Sequence, residues 1–263
     1  MIKNFKFEIE DNIKSIFISN ALIMLLIIFT YSDNVSLINQ YGKLRYGEWI
    51  NILLNDTYTS IYGFSFVFLY LLVTWNKQRE NELYIMVCYE SRIKYYMEKY
   101  ITNIMLSIIF VLWIVLCGIV MELFCAQVQE NMSITFQQYC IIYGYPIQSY
   151  SVVKSIVIYI ILTITSMNFY FFLKDRFRSI SIALCIFGGG IFLLAATTLG
   201  AFGERSKILS VFTWGREFET MKWSFFTRVV VLLVLNVVIS VINLIGFQRR
   251  ELKYAKGSKQ YQV

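Results

Sequence analysis

Residues 100–121 read YITNIMLSIIFVLWIVLCGIVM, a run of 22 residues without a charge. A bilayer hydrocarbon core about 30 Å thick takes roughly 20 apolar residues to cross as a helix, so this run is long enough to span a membrane. Five further runs lack charges and have similar lengths: 15–32, 57–76, 155–173, 179–203 and 229–248. Because backbone groups in lipid must pair within their own segment, the sequence predicts an all-α, polytopic membrane protein. We expect six transmembrane helices in a single domain over 1–263.

The charge distribution predicts how these helices are oriented. The chain is 16% charged and carries a net charge of +7, against about 25% charged residues in soluble domains. The segments before span one, between spans two and three, between four and five, and after span six hold 16 of the 24 Lys and Arg residues. The positive-inside rule therefore places both termini in the cytoplasm. The positive charge is explained by membrane orientation, and we expect no nucleic-acid partner.

Three segments outside the spans have recognisable patterns. Residues 1–14 place apolar and charged side chains at helical spacing, which favours an amphipathic interfacial helix over a frayed leader. Residues 33–56 are interpreted as a short extracellular loop with turns at Gly42 and Gly47. Segment 123–153 is polar for a span, so we expect it to lie on, or dip into, the outer membrane surface.

Several kinds of chemistry lack their residues. The chain contains no histidine, which excludes Ser-His and Cys-His catalysis and His-ligated zinc. It also lacks the GxxxxGK[ST] phosphate loop, so it cannot hydrolyse ATP in that manner. Its five cysteines form no CxxC pair, which argues against a metal or redox motif. Cys125 and Cys140 could both lie outside and form a disulfide. We therefore expect no catalytic residue, bound cofactor or metal.

Two spans carry polar or small residues that need a reason. Asn236, Ser240 and Asn243 share one face of span six. They either form interhelical hydrogen bonds, worth about 0.6 kcal/mol each on average, or line a polar pathway. Gly188, Gly189 and Gly190 lie inside span five. Consecutive glycines weaken a helix, so they indicate either close helix–helix approach or a local break.

The segment between spans two and three is the most charged in the chain. Residues 76–99 read NKQRENELYIMVCYESRIKYYMEK. A short apolar stretch, 83–88, lies between flanks that carry both charge signs. Apolar anchors inside a charged rim are typical of a small helix that docks on another protein. The alternative is a solvated helix that merely extends span three.

This segment resembles the cytoplasmic coupling loop of ABC-2 type transporter permeases. In that family an acidic start is followed by a short coupling helix, a Ser-Arg pair and, about seven residues later, a lysine at the mouth of span three. The corresponding residues here are Glu80 and Glu82, then a helix over 83–90 with anchors Leu83, Ile85, Met86 and Val87, then Ser91, Arg92 and Lys99. The six spans, cytoplasmic termini and amphipathic leader also resemble the family.

The resemblance implies a function. Such permeases are membrane subunits of ATP-driven exporters, are not themselves enzymes, and pair with a second or homologous permease. A separate ATPase subunit binds ATP and Mg. Small systems of this kind resemble bacterial plasma-membrane exporters of antimicrobial peptides, including lantibiotic immunity permeases. The substrate, the direction of transport and the choice between homodimer and heterodimer stay open.

Two other functions compete with this one. A non-transporting membrane scaffold or partner-binding protein would have the same spans. A membrane enzyme would need a cluster of ionisable residues at depth, and the charge-free runs leave only Glu122, near an outer end.

Overall fold

The computed structural model describes residues 10, 12–76, 92–142, 151–177, 180–198 and 225–258. These residues are mostly helical. The helices are α1 (Ile13–Tyr41), α2 (Glu48–Asn55), a π-helix (Thr57–Phe64), α3 (Ser65–Trp75), α4 (Arg92–Cys125), α5 (Ile134–Ile142), α6 (Val152–Arg176), α7 (Ile180–Thr198) and α8 (Phe225–Ser258). Two short strands, β1 (Leu44–Arg45) and β2 (Ala126–Gln127), pair in parallel.

Four helices in the described part of the chain are long and apolar enough to cross a membrane. They are Ile13–Tyr41, Ile93–Cys125, Val152–Lys174 and Phe225–Gly246. The first three contain predicted spans one, three and four, and the last covers predicted span six except its final two residues. The prediction of an all-α protein with membrane-spanning helices is confirmed at this level. The count of six spans is not confirmed: the apolar helix in span two is shorter, Tyr62–Trp75, and the apolar stretch found in span five, Ser181–Leu193, belongs to α7, which is described only as far as Thr198.

The second predicted span is short because its chain changes helix type. Its first eight residues, Thr57–Phe64, form the π-helix, and regular α-helix begins only at Ser65. The Asp56 carboxylate caps the π-helix by accepting the Thr59 backbone N–H at 2.7 Å. The fifth predicted span is described only as far as Thr198, so its last residues, 199–203, lie outside the described residues.

The three glycines of span five do not interrupt the helix, so the predicted alternative of a local break is wrong. Helix α7 runs continuously through Gly188, Gly189 and Gly190. A Cβ atom at Gly188 would lie 3.7 Å from the Phe66 ring, an ordinary contact, and Cβ atoms at the other two would meet no described neighbour within 4 Å. Close approach to the described helices therefore does not require glycine here either.

The interpretation of 33–56 as a loop is wrong. Helix α1 continues to Tyr41 and ends at Gly42, whose φ of 98° is left-handed. Gly47, with φ 92°, then turns the chain into α2. This short helix is an internal element, since Trp49 and Leu53 are fully buried. Its sequence, EWINILLN, has apolar residues on most sides, and the bundle covers them.

Helix α6 lies at the centre of the bundle, because it packs against α2, α4, α7 and α8. The largest side chains buried along it are Tyr159 and Tyr170. By contrast, α1 and α8 turn many apolar side chains outward, among them Phe29 (63% exposed) and Val237 (63% exposed). Apolar residues all around a long helix are typical of a membrane span, where the outer face meets lipid.

Two groups of polar contacts mark the two ends of the bundle. Near one end Glu122 contacts the start of α2 and Ser155 contacts Asn51; we call it the strand end because β1 and β2 lie there. At the other, the loop end, Asn103 and Lys174 contact Asn76. Along α4 the residues that make these contacts, Asn103 and Glu122, are 19 residues apart, as are Ser155 and Lys174 along α6. Nineteen helical residues span about 28 Å at 1.5 Å per residue. That separation matches the hydrocarbon thickness of a bilayer.

Segment 123–153 does not form a further span in its described part. Helix α4 ends at Cys125, and α5 has only 9 residues, about 14 Å of helix, too short to cross a bilayer. Cys125 and Cys140 are buried free thiols, so the structure contains no disulfide between them. Burial, with a smaller contribution from Glu48, raises the pKa of the Cys140 thiol to about 11. This thiol is therefore protonated and unreactive at neutral pH.

Topology is the first property to test. Residues 1–9 and 11 lie outside the described residues, so the amphipathic leader and the cytoplasmic side of the termini stay predictions. We expect a reporter that works only in the cytoplasm to be active when fused after Lys94 or Lys256, and silent after Gly42 or Gln138. A reporter active only outside, fused at the same positions, is the matched control and should give the opposite pattern. Cytoplasmic activity at Gln138 would contradict the orientation.

Candidate functional site

The chain on both sides of 77–91 is fixed by a buried pair of asparagines. Asn76 follows α3, and Asn103 lies on α4 about three turns after its start. The Asn76 Nδ2 donates to Asn103 Oδ1 at 2.8 Å, and the Asn103 Nδ2 donates back to Asn76 Oδ1 at 3.3 Å. Each Nδ2 also donates to a carbonyl four residues earlier in its own helix, that of Leu72 and Lys99 respectively. These backbone bonds set both amide orientations.

A lysine connects this pair to α6. The partly buried Lys174 Nζ donates to the backbone carbonyl of Asn76 at 3.0 Å. That carbonyl lies at the C-terminus of α3, where the helix dipole is negative and favours a cation. Lys174 stands in the last turn of α6. Sequence reasoning treated it only as one of the charges that set orientation, whereas the structure shows it joining two helices.

The polar face of span six takes part in a second set of contacts. The Tyr100 and Ser240 hydroxyls are 2.7 Å apart and join α4 to α8. Asn236 Oδ1 accepts from Asn168 Nδ2 at 2.7 Å, and its Nδ2 donates to Thr165 Oγ1 at 2.8 Å.

The third residue of that face is bonded in the same way. The Asn243 Nδ2 donates to the Asn168 backbone carbonyl at 3.0 Å, from α8 to α6. The interhelical bonds expected of Asn236, Ser240 and Asn243 are therefore present. A role for them in lining a pathway stays a prediction.

These contacts join four helices, and we call the residues that make them the polar network. It comprises Asn76, Tyr100, Asn103, Thr165, Asn168, Lys174, Asn236, Ser240 and Asn243. Lys174 is the charged member of the network, and the other members contribute amide or hydroxyl groups. Among the described residues no group of three or more His, Cys, Asp or Glu could hold a metal. The network is suited to fixing helix positions.

Two amide oxygens of the network lack a partner within the described residues. They are Asn168 Oδ1 and Asn243 Oδ1, and both side chains are buried. Their orientations follow from their neighbours, because Asn236 Nδ2 is committed to the Leu232 carbonyl and so its oxygen must accept from Asn168. A buried unsatisfied acceptor costs about 1–3 kcal/mol. This part of the α6–α8 contact is therefore less stable than its number of polar residues suggests.

Sequence reasoning missed a set of buried carboxylates at the strand end. Besides Glu122, Glu48 and Asp56 are buried there; both precede predicted span two and lie outside the charge-free runs. Glu122 Oε1 accepts the Gly47 backbone N–H at 2.5 Å and also interacts with the N–H groups of Trp49 and Ile50. It therefore caps the N-terminus of α2, whose dipole favours an anion.

Glu48 connects α2 to the chain that precedes α5. It accepts the Ser133 backbone N–H at 3.0 Å and the Ser133 hydroxyl, and it accepts the Arg45 backbone N–H at 2.8 Å. The Arg45 side chain approaches the same carboxylate at 3.8 Å. A glycine followed by an acidic residue and an apolar run is a helix-start signal that could have revealed α2.

Most of the residues predicted to couple to an ATPase lie outside the described residues: Glu80, Glu82, Leu83, Ile85, Met86, Val87 and Ser91. Arg92 is the first residue of α4. Lys99 lies on the same helix, with its Nζ 5.8 Å from the centre of the Tyr95 ring, and its backbone carbonyl accepts from Asn103.

No protein-family model, curated protein or solved structure matches this chain.

Proposed function

We propose that this chain is the membrane subunit of an ATP-driven ABC-2 type transporter, coupled to a separate ATPase through the loop 76–99. The observation that carries the proposal is the set of contacts that Asn76, Asn103 and Lys174 make at the loop end. They fix the chain immediately before 77–91 and α4 about three turns after it, and the apolar centre and charged rim of 77–91 are typical of a docking segment.

A docking loop transmits force only if its ends are fixed to the helices that must move. Asn76 and Asn103 supply such a connection between α3 and α4. Lys174 extends it to α6, and Tyr100 extends it to α8. A loop that only joined two spans would need no such buried polar contacts, which cost free energy unless they are satisfied.

The partners and substrate follow from the resemblance alone. The ATPase subunit would bind ATP and Mg. A second permease copy or a homologous permease would complete the complex in a bacterial plasma membrane. The transported molecule would be a peptide or another amphipathic compound, as in lantibiotic immunity permeases. The alternative is a non-transporting scaffold that binds a partner through the same loop.

Co-purification tests the proposal. We expect the tagged full-length chain, expressed with the ATPase encoded beside it, to retain that ATPase in mild detergent. An ATPase whose phosphate-loop lysine is replaced by alanine is the matched control: it should be retained equally but hydrolyse no ATP. Complete loss of the ATPase from a properly inserted chain would contradict the transporter assignment. Retention without ATP turnover in proteoliposomes would instead favour the scaffold.

A further inference from the structure

We propose that Asn76, Asn103 and Lys174 form a clamp that makes the loop ends of α3, α4 and α6 move as one body when the ATPase displaces segment 77–91. The proposal rests on the function proposed above. It assigns these three residues a positioning role in coupling, outside the surface that would touch the ATPase.

The amide pair gives the clamp its stiffness. Both side chains are buried, with Asn76 2% and Asn103 0% exposed. Each amide bonds its own helix as well as its partner, so neither can rotate without breaking two hydrogen bonds. In a low-dielectric interior such bonds are stronger, and leaving one unmade is costly. The end of α3 and the part of α4 around Asn103 are therefore held in one relative position.

Lys174 carries the connection to the centre of the bundle. Its ammonium group bonds the terminal carbonyl of α3 through a charge-assisted contact, a kind roughly twice as strong as a neutral hydrogen bond. Helix α6 in turn packs against α8 and bonds it through Asn168 and Asn236. A displacement of the loop thus reaches α6 and α8 without a direct contact between them and the ATPase.

Helix α4 connects the clamp to the strand end. Asn103 lies about three turns after the start of α4. Glu122, about 28 Å further along the same helix, holds the N-terminus of the buried helix α2. A movement of α4 together with the clamp would therefore also move the cap of α2. Rigid elements with a discrete contact at each end are the physical means by which distant sites become coupled.

Matched substitutions at Lys174 test the clamp in the complex of this chain with its ATPase. Lys174→Met removes the donor to Asn76 but keeps a side chain of similar length, whereas Lys174→Arg keeps a donor. We expect both variants to retain the ATPase, because the docking loop is unchanged. Allosteric coupling is typically worth 5–150-fold, so we expect ATP turnover in proteoliposomes to fall about tenfold in Lys174→Met and to stay near wild type in Lys174→Arg.

A distance measurement separates coupling from simple stability. Spin-labelled unnatural amino acids replace the exposed Met97 on α4 and Phe177 just after α6. In the otherwise wild-type complex the distance between the labels should not change when a non-hydrolysable ATP analogue and Mg are added. In Asn103→Leu and in Lys174→Met it should change or broaden. If the Asn103→Leu variant fails to accumulate, Lys174→Met and Lys174→Arg are sufficient to test the clamp.

The outcomes distinguish the clamp from the function on which it rests. Failure of the wild-type chain to retain the ATPase contradicts the transporter assignment. Retention of the ATPase together with unchanged turnover and unchanged distance in Lys174→Met overturns the clamp and leaves the transporter assignment intact. A nucleotide-dependent change in the wild-type label distance also overturns the clamp, because the three helix ends would then move separately.

Discussion

The double change Leu83→Asp with Met86→Asp should remove the ATPase from the purified chain. Apolar anchors at the centre of an interface commonly cost 2 kcal/mol or more each when truncated. In the proposed interface the two added charges would also have to be desolvated, which is costly for unpaired charges. A combined loss of about 4 kcal/mol weakens binding roughly a thousandfold. The spans should still insert, since both residues lie between spans two and three. Co-purification and ATP turnover in proteoliposomes measure the effect.

The matched control changes the rim of the same loop. Lys77→Ala with Lys94→Ala removes two of the charges that flank the apolar stretch. An exposed ion pair contributes only about 0–1 kcal/mol. We expect the ATPase to be retained with at most a modest loss. If the Asp pair left the ATPase bound to a normally inserted chain, 83–90 would not be the docking segment, and the transporter assignment would lose its main support.

The sequence predicts those parts of the fold that depend on local composition. The run over 100–121 became a long helix because its length and apolarity alone require one. Helix α2 was missed because its stability is not local: its N-terminus is capped by Glu122, 75 residues away, and its first side chain bonds Ser133, 85 residues away. Eight residues that follow two closely spaced glycines look like part of a loop until those distant partners are known.

The same distinction between local sequence signals and distant partners applies to the candidate site. Helical spacing placed Asn236, Ser240 and Asn243 on one face, and the structure places them there together. Their partners, among them Asn168 and Tyr100, are single polar residues within apolar helices, and a lone polar residue carries no periodic signal. Which helix it faces is decided by packing. Asn76 and Asn103 were likewise indistinguishable from ordinary polar residues at the ends of spans.

Glu122→Leu should destabilise the protein more than any single change in the polar network. The carboxylate is 4% exposed and accepts from the first backbone N–H groups of α2. Removing it leaves these donors buried without their acceptor. Each buried donor left unsatisfied costs about 1–3 kcal/mol, so the loss for the N–H groups of Gly47, Trp49 and Ile50 together is at least about 3 kcal/mol. For a loss of about 3 kcal/mol in the free energy of unfolding, the apparent Tm in detergent should fall by roughly 6–12 °C.

Two control variants identify the cause. Glu122→Gln keeps an acceptor oxygen and loses only the charge, so it should cost about 1 kcal/mol, the difference between a neutral and a charge-assisted bond. Glu130→Gln changes an exposed side chain at the strand end, where the backbone carbonyl, not the carboxylate, accepts from Arg45. The apparent Tm of Glu130→Gln should equal that of the wild type. The internal helix α2 requires Glu122 as its cap only if Tm falls most in Glu122→Leu, less in Glu122→Gln and not measurably in Glu130→Gln. A Leu variant as stable as Glu130→Gln would mean that apolar packing around Trp49 and Leu53 holds α2 without the cap.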